Sequence, residues 1–462
     1  MARLENLFKY HKVSLLFMLL SSFLYLSFGY DLVRTDITKL VLLYFALFVF
    51  AYQLLKTAGY NFRLLVMASL AFRVLFLFAI PNLSQDFYRF VWDGQMILAG
   101  LNPYLTTPDY QMGLGVLSNF PNQVALYEGM GALSASHYTN YPPLKQLIFV
   151  LGNLFPGQSI LSSVIGMRFI IIAADIGTLY FGKKLLERLK LPSSRIFWYI
   201  LNPFIIIELT GNLHFEGVMI FFLVWSLYLL HLAKWKWAAV GLACSISVKL
   251  IPLILLPLFF RWFVKKQNPF KGIKKLIVFY LIIGTATLVL LVPFLSMEFI
   301  TNYSKSVGLW FGTFEFNASI YYLARAIGFA TTGYNEIAII TIILPIISIL
   351  VILGFSLIKT NTALPELVSS MLLVLTCYLF LSTTVHPWYI ATLVILCIFT
   401  DYKFPLVWSM VIVLSYFAYS KPDNAENMWI IGLEYGVVFT VLLWEILFKR
   451  PSHLKAQTFN NT

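Results

Sequence analysis

Ser84-Gln85-Asp86-Phe87-Tyr88-Arg89, then Trp92-Asp93-Gly94, then Gly100-Leu101-Asn102-Pro103-Tyr104 and finally Tyr141-Pro142-Pro143-Leu144 mark a long polar interruption between apolar runs. The runs at 13–29, 40–55 and 64–80 precede it, and others of membrane-spanning length recur to the end of the sequence. The chain is 60% hydrophobic, 17% aromatic and 11% charged, whereas a soluble domain carries about a quarter charged residues. Lipid-exposed backbone must satisfy its own hydrogen bonds, so the expected class is all-α. We expect a polytopic membrane helical bundle of about twelve transmembrane spans plus re-entrant or surface helices, forming a single domain over 1–462. The first run exceeds a signal-peptide core and ends in a poor cleavage site, Ser27-Phe28-Gly29, so it is expected to stay as a span.

A formal charge of +13 raises nucleic acid as a partner, and the placement of that charge speaks against it. With a cytoplasmic N-terminus, Arg3, Lys9 and Lys12, the run from Lys183 to Arg195, Lys234 and Lys236, the cluster from Arg261 to Lys275, and Lys449, Arg450 and Lys455 all fall on one side. The other side keeps Arg34, Lys39, Arg89, Lys145, Lys305, Arg325 and Lys421. This is the positive-inside bias of a membrane protein. It places spans at about 13–29, 39–55, 63–80, 160–182, 196–209, 218–233, 276–295, 337–357, 366–383, 388–400, 404–420 and 429–448, with both termini cytoplasmic.

Two apolar pieces remain. Residues 144–155 are too few to cross and read as a re-entrant or surface helix, whereas 237–260 has basic clusters at both ends and reads as two half-helices folding back near Lys249 and Pro252. Residues 81–143 then form a first extracytoplasmic loop and 296–336 a second, with shorter tips at Gly211 to Glu216 and at His386-Pro387-Trp388.

From Asp86 to Leu98 the pattern is that of an amphipathic surface helix capped by Ser84, with Asp86, Arg89 and Asp93 on one face and Phe87, Phe90, Val91, Met96 and Ile97 against lipid or bundle. Partial desolvation at the lipid boundary raises a carboxylate's pKa and makes it a better base toward a hydroxyl. On spacing alone, a merely solvating face with Arg89 neutralising Asp86 or Asp93 is equally open. Prolines 103 and 142 force Asn102 and Tyr141 into extended backbone, and tyrosines 88, 104, 138 and 141 suit the headgroup belt. Cys244, Cys377 and Cys397 read as core residues, and the six histidines show no metal-ligand spacing.

In this order the acidic residue with its aromatics, Trp-Asp-Gly, Gly-x-Asn-Pro-Tyr and Tyr-Pro-Pro-Leu make the chain resemble the GT-C glycosyltransferases that use lipid-linked sugars. The bacterial polyprenyl-phosphate-mannose-type mannosyltransferases are nearest and the GPI-anchor mannosyltransferases more distant. Looser similarity continues through Gly211-Asn212-Leu213-His214-Phe215-Glu216, Lys249-Leu250-Ile251-Pro252 and His386-Pro387-Trp388-Tyr389. In that family the first large outer loop carries an acidic motif, often Asp-Asp or Asp-x-Asp, whose carboxylate is the catalytic base. Only Asp86 matches it, and Gln85 stands where the first member of an Asp-Asp pair would be.

The resemblance implies inverting transfer of a hexose, mannose foremost, from a polyprenyl-phosphate sugar donor to a lipid or glycan acceptor on the extracytoplasmic face, with Asp86 as base. It implies a bacterial cytoplasmic (inner) membrane, with membrane lipids as the remaining partners and no nucleic acid. The resemblance names no cofactor, and a divalent metal stays open because Gln85 interrupts the acidic pair. A leaving phosphate needs cationic or hydrogen-bonding partners, for which Arg89, Lys145, Arg168, Arg325 and His386 are the candidates. Asp93, Tyr141, His214 and Glu216 complete the expected substrate-binding set, and Lys249 is placed outside it as a headgroup anchor. A mid-span arginine costs about 2.5–3.5 kcal/mol unless paired or hydrated, so a structural role for Arg168 is equally open.

A lipid-linked glycan flippase, polymerase or ligase is the alternative, since each shares the composition and the isoprenoid substrate. A flippase lines a cavity with charges deep in several spans, and here those are few: Arg73, Arg168, Asp175 and Glu434. Asn302-Tyr303-Ser304 and Asn317-Ala318-Ser319 are glycosylation sequons if the host is eukaryotic.

Overall fold

The computed structural model describes residues 11–59, 61–115, 120–312, 314–421 and 423–448. Arg3, Lys9, Lys449, Arg450, Lys455 and the tail at 456–462 lie outside the described residues. The architecture is all-helical: α1 (Lys12–Tyr30), α2 (Ile37–Ala58), α3 (Phe62–Leu75), α4 (Asp86–Leu98), α5 (Pro108–Leu114), α6 (Gln123–Ala135), α7 (Pro143–Asn153), α8 (Ile160–Arg188), α9 (Glu216–His231), α10 (Trp235–Val248), α11 (Pro269–Leu291), α12 (Met297–Gly312), α13 (Ile320–Thr332), α14 (Ile337–Leu357), α15 (Leu364–Leu381), α16 (Ala391–Cys397), α17 (Phe404–Val411) and α18 (Met428–Phe448), with short 3-10 and π turns between them. Helix starts follow local chemistry. The Asp36 carboxylate accepts from the Lys39 amide at 3.1 Å to open α2, and the Asn61 side chain accepts from the Leu64 amide at 3.1 Å to open α3.

Among the described residues seven helices are long and apolar enough to cross a membrane: α1, α2, α8, α11 with its extension to Phe294, α14, α15 and α18. Leu281, Val289, Ile342 and Leu350 are each more than half exposed, a surface that only lipid makes favourable. The other expected crossings fall on shorter or broken helices. Pro203–Gly211 and Glu216–His231 form a pair bent by 115°, which makes an eighth span if counted as one. A break stands where the sequence placed one, near Lys249: α10 ends at Val248, Lys249 is in extended backbone, and a 3-10 stretch, Ile251–Leu258, follows. Pro252 and Pro257, which lack amide donors, prevent α10 from continuing.

The chain forms two compact units. The first comprises Met1–Leu185, Ile200–Leu253 and Ile277–Phe311. In it α4 is packed between α6 and α7, and α9 lies along α10. Ser226 Oγ donates to Ala238 O at 2.7 Å and Ser245 Oγ to Met219 O at 2.8 Å, which fixes an antiparallel register. The second unit comprises Leu186–Tyr199, Ile254–Leu276 and Gly312–Thr462. Its helices α14 to α18 pack in sequence, and an isolated β-bridge joins Phe316 to Thr384.

Candidate active site

The expected helix runs over the expected residues, Asp86–Leu98, but it is embedded rather than laid on a surface. Phe87, Arg89, Phe90, Val91, Trp92, Asp93, Gly94 and Met96 are all buried. Gly94 shows why Trp-Asp-Gly ends in glycine: a Cβ there would stand 2.7 Å from Phe149 O and 2.2 Å from the Asn153 amide nitrogen of α7.

The approach to α4 is fixed from several sides. Asn82 Nδ2 donates to Phe28 O at 2.7 Å and Leu32 O at 3.0 Å, while the amides of Asn82 and Leu83 donate to Asn212 Oδ1 at 3.2 and 2.9 Å. Ser84 Oγ accepts from the Asp86 amide at 3.3 Å, while the N-cap position itself falls on Gln85, which makes no side-chain cap bond. Gln85 Nε2 donates to Met130 O at 3.2 Å, which ties α6 over the first turn of α4. The acidic residue is therefore presented by a rigid neck, even though its side chain is half-buried.

Three carboxylates of the expected site have different partners. Asp93 is fully buried and accepts from Arg89 Nε at 2.7 Å and Gln146 Nε2 at 3.0 Å. Arg89 spends its remaining reach on Ser134 O at 2.6 Å and His137 O at 3.0 Å, so it clamps α6 to α4. Glu216, at the start of α9, is ion-paired with Lys249. Asp86 makes no side-chain hydrogen bond or ion pair among the described residues; its electrostatic neighbours are Lys145, Lys249, Glu216 and Arg34. Burial holds its carboxyl above the usual range, Glu216 pushes the same way, and the three cations pull it back down.

Lys145 faces this carboxylate from α7. It is 6% exposed, and its Nζ lies 4.0 Å from the Tyr141 ring centre, 4.6 Å from Phe90, 5.6 Å from Phe215 and 5.8 Å from Phe149. Burial and then Lys249 bring its pKa down to about 7, against the opposing pull of Glu216, Asp86 and Asp93. Tyr141 is held in turn by Tyr104, whose hydroxyl donates to Tyr141 O at 2.5 Å.

The sequence reading set Lys249 apart from these residues, and the structure places it beside Glu216 and within electrostatic reach of Asp86. The α9–α10 register that pairs 226 with 238 and 219 with 245 carries the first residue beyond α10 to the first residue of α9, so Lys249 meets Glu216. Its only sequence signal is a lone lysine at a helix break before proline. Arg34 was missed as well; it donates to Leu83 O at 3.2 Å and acts on Asp86 through its charge.

Arg168 binds backbone carbonyls. It is fully buried and donates to four backbone carbonyls, Thr210, Leu77, Ala79 and Gly211, at 2.8–2.9 Å. It thereby joins the segment leading to α4 to the π turn that leads to α9. Asp175 pairs instead with Arg73 at 2.6 Å. His214 is buried, with Nδ1 2.9 Å from Glu208 O and 3.4 Å from Glu208 Oε2. The neighbouring Leu213 has φ 58°, a left-handed conformation that costs a non-glycine residue about 1–3 kcal/mol. Arg325 and His386 belong to the second unit. Arg325 pairs with Glu315 and lies 4.3 Å from the Tyr322 ring centre, and His386 stacks on Trp388 at 4.7 Å.

Both sequons are occupied by the fold. Asn302 Nδ2 donates to Tyr104 O at 3.1 Å, and Asn317 is fully buried with its Nδ2 3.2 Å from Glu434 Oε1, so neither accepts a glycan in this structure. Among the described residues no group of three or more His, Cys, Asp or Glu side chains comes together. The neighbours of Asp86 are mainly cations and Glu216 is already paired, so the residues present do not fit a divalent metal.

The MptA_B family model, described as alpha-(1->6)-mannopyranosyltransferase, N-terminal domain, matches residues 22–265. That stretch is more than half of the chain and contains Arg34, Asp86, Lys145, Glu216 and Lys249. No curated protein matches the chain. The family agrees with the glycosyltransferase resemblance carried by the motifs from Ser84 to Leu144, and the helices supply the membrane setting. The chain belongs to the MptA_B family and is an integral-membrane mannosyltransferase.

Proposed function

We propose that this enzyme transfers mannose from a polyprenyl-phosphate donor to a hydroxyl of a lipid or glycan acceptor, with inversion at the anomeric carbon and Asp86 as general base. The observation that carries the reading is the uncommitted carboxylate of Asp86 beside Lys145 and Lys249, while Asp93 and Glu216 are each tied to a cation. The acceptor oxygen attacks the anomeric carbon, the bond from that carbon to the phosphate oxygen breaks, and the hydroxyl proton passes to Asp86. The phosphate leaves with the prenyl chain, and Lys145 and Lys249 offset its growing charge.

The family's description favours a 6-hydroxyl acceptor and an alpha product, which under inversion requires a beta-linked donor. In this reading Arg89 and Asp93 hold α4 in place, Tyr141 walls Lys145, and Glu216 with His214 borders the sugar. Arg325 and His386 are assigned no step. The charge bias supports an extracytoplasmic site with both termini in the cytoplasm of a bacterial inner membrane.

The test uses purified protein in detergent with radiolabelled polyprenyl-phosphate mannose and a mannosylated lipid acceptor. Donor consumption with an alpha-linked product is expected. Donor left intact in detergent, together with movement of the lipid across sealed vesicles, would overturn the reading in favour of a flippase.

A further inference from the structure

The cations on α4, on α7 and after α10 are not equivalent. Arg89 has Asp93 as its counter-charge, and Lys249 has Glu216. Lys145 makes no hydrogen bond or ion pair among the described residues, although it is 6% exposed; four aromatic rings surround its Nζ. Ring faces attract a cation without neutralising it, and a buried ammonium without a counter-ion favours its neutral form.

The groups facing Lys145 can be named element by element. α4 contributes Asp86 and Asp93, the start of α9 contributes Glu216, the residue after α10 contributes Lys249, and its own segment contributes Tyr141. Of the three acids, only Asp86 lacks a bonded cation, and it has no direct bond to Lys145. Lys145 therefore has Asp86 nearby as a carboxylate but no counter-ion bonded to its amine.

Resting on the donor reading above, we infer that the Lys145 cage is a proton-linked site for a prenyl phosphate: the anion supplies the directly bonded counter-ion that the amine lacks, and its binding brings one proton from solvent onto the Lys145 amine. The sign follows from linkage. In the free enzyme Lys145 holds its proton with a pKa of about 7; a phosphate beside it raises that value toward the ordinary lysine range. Between the two values the complex binds more protons than its parts, so affinity falls as pH rises. The linkage favours the product over the donor, because a phosphodiester donor carries one negative charge and the released monoester carries two. It thus acts in the direction of the developing charge on the leaving group. During turnover the acceptor's proton goes to Asp86 and the solvent proton to Lys145, so the two transfers are separate.

The test is calorimetric titration of the full-length protein in detergent with farnesyl phosphate at pH 8.5, in two buffers of different protonation enthalpy. The expected result is uptake close to one proton per ligand bound, and affinity falling up to about tenfold per pH unit between pH 7.5 and 9. Lys145→Arg, which keeps its charge, is expected to bind with near-zero uptake and a flat pH dependence. Wild-type binding without proton uptake would overturn the inference while leaving mannosyl transfer intact. Failure of the wild type to bind farnesyl phosphate at all would overturn both the inference and the donor reading.

Discussion

Asp86 and Asp93 lie seven residues apart on α4, two turns of one helix, and their surroundings differ. Asp93 is sealed from solvent, with Arg89 and Gln146 on its two oxygens. Asp86 is half-buried, bonded to nothing through its side chain among the described residues, and faces two lysines. A carboxylate whose oxygens are already occupied holds a fold together; one kept near cations with open valences is available to a substrate. Neither sequence spacing nor residue type separates the two. Only the partners brought in by α6, α7 and α9 do.

The largest break in this comparison comes from neutralising each acid in turn. Asp86→Asn is expected to cut transfer by about 10²–10⁴-fold, the usual contribution of a general base, with an unchanged melting temperature in detergent. Asp93→Asn is expected to leave the buried Arg89 guanidinium without its counter-charge. That costs about 3–5 kcal/mol, read as a lower melting temperature and yield, with transfer per folded molecule largely kept.

A rate profile sharpens the same contrast. Asp86 works when deprotonated, so activity is lost as pH falls through its raised pKa, above the usual carboxylate range. Lys145 works when protonated, so kcat/KM declines as pH rises through about 7. The expected profile is a narrow bell whose acid limb disappears with Asp86 and whose basic limb moves up in Lys145→Arg.

Smaller effects follow from the neighbours. Gly94→Ala drives a methyl into Phe149 O and is expected to cost about 1–3 kcal/mol by overpacking, measured as a melting shift. Glu216→Gln removes a charge that holds the Asp86 pKa up, so the acid limb is expected to move to lower pH by a fraction of a unit.

Much of the framework was legible in the sequence because local chemistry sets it. The polar run from Asp86 to Leu98 gave the bounds of α4, and Lys249 with Pro252 marked the break after α10. Asp86 stood out through its motif. What the sequence hid depends on register between helices. Lys249 reaches Glu216 only because α9 and α10 pair antiparallel, a relation with no periodic signature. Arg168 read as a phosphate candidate because a mid-span arginine demands partners; its partners are four carbonyls, which no side-chain pattern announces. Arg89 lies one turn from both acids, and it bonds Asp93 while its Nη1 reaches Ser134 O in α6 and His137 O just beyond that helix.

The most direct test of the central claim is transfer of radiolabelled mannose from polyprenyl-phosphate mannose by purified wild type, Asp86→Asn and Asp93→Asn, each normalised to folded protein. The account predicts collapse in Asp86→Asn alone. Equal transfer by wild type and Asp86→Asn, or collapse only in a well-folded Asp93→Asn, would contradict it.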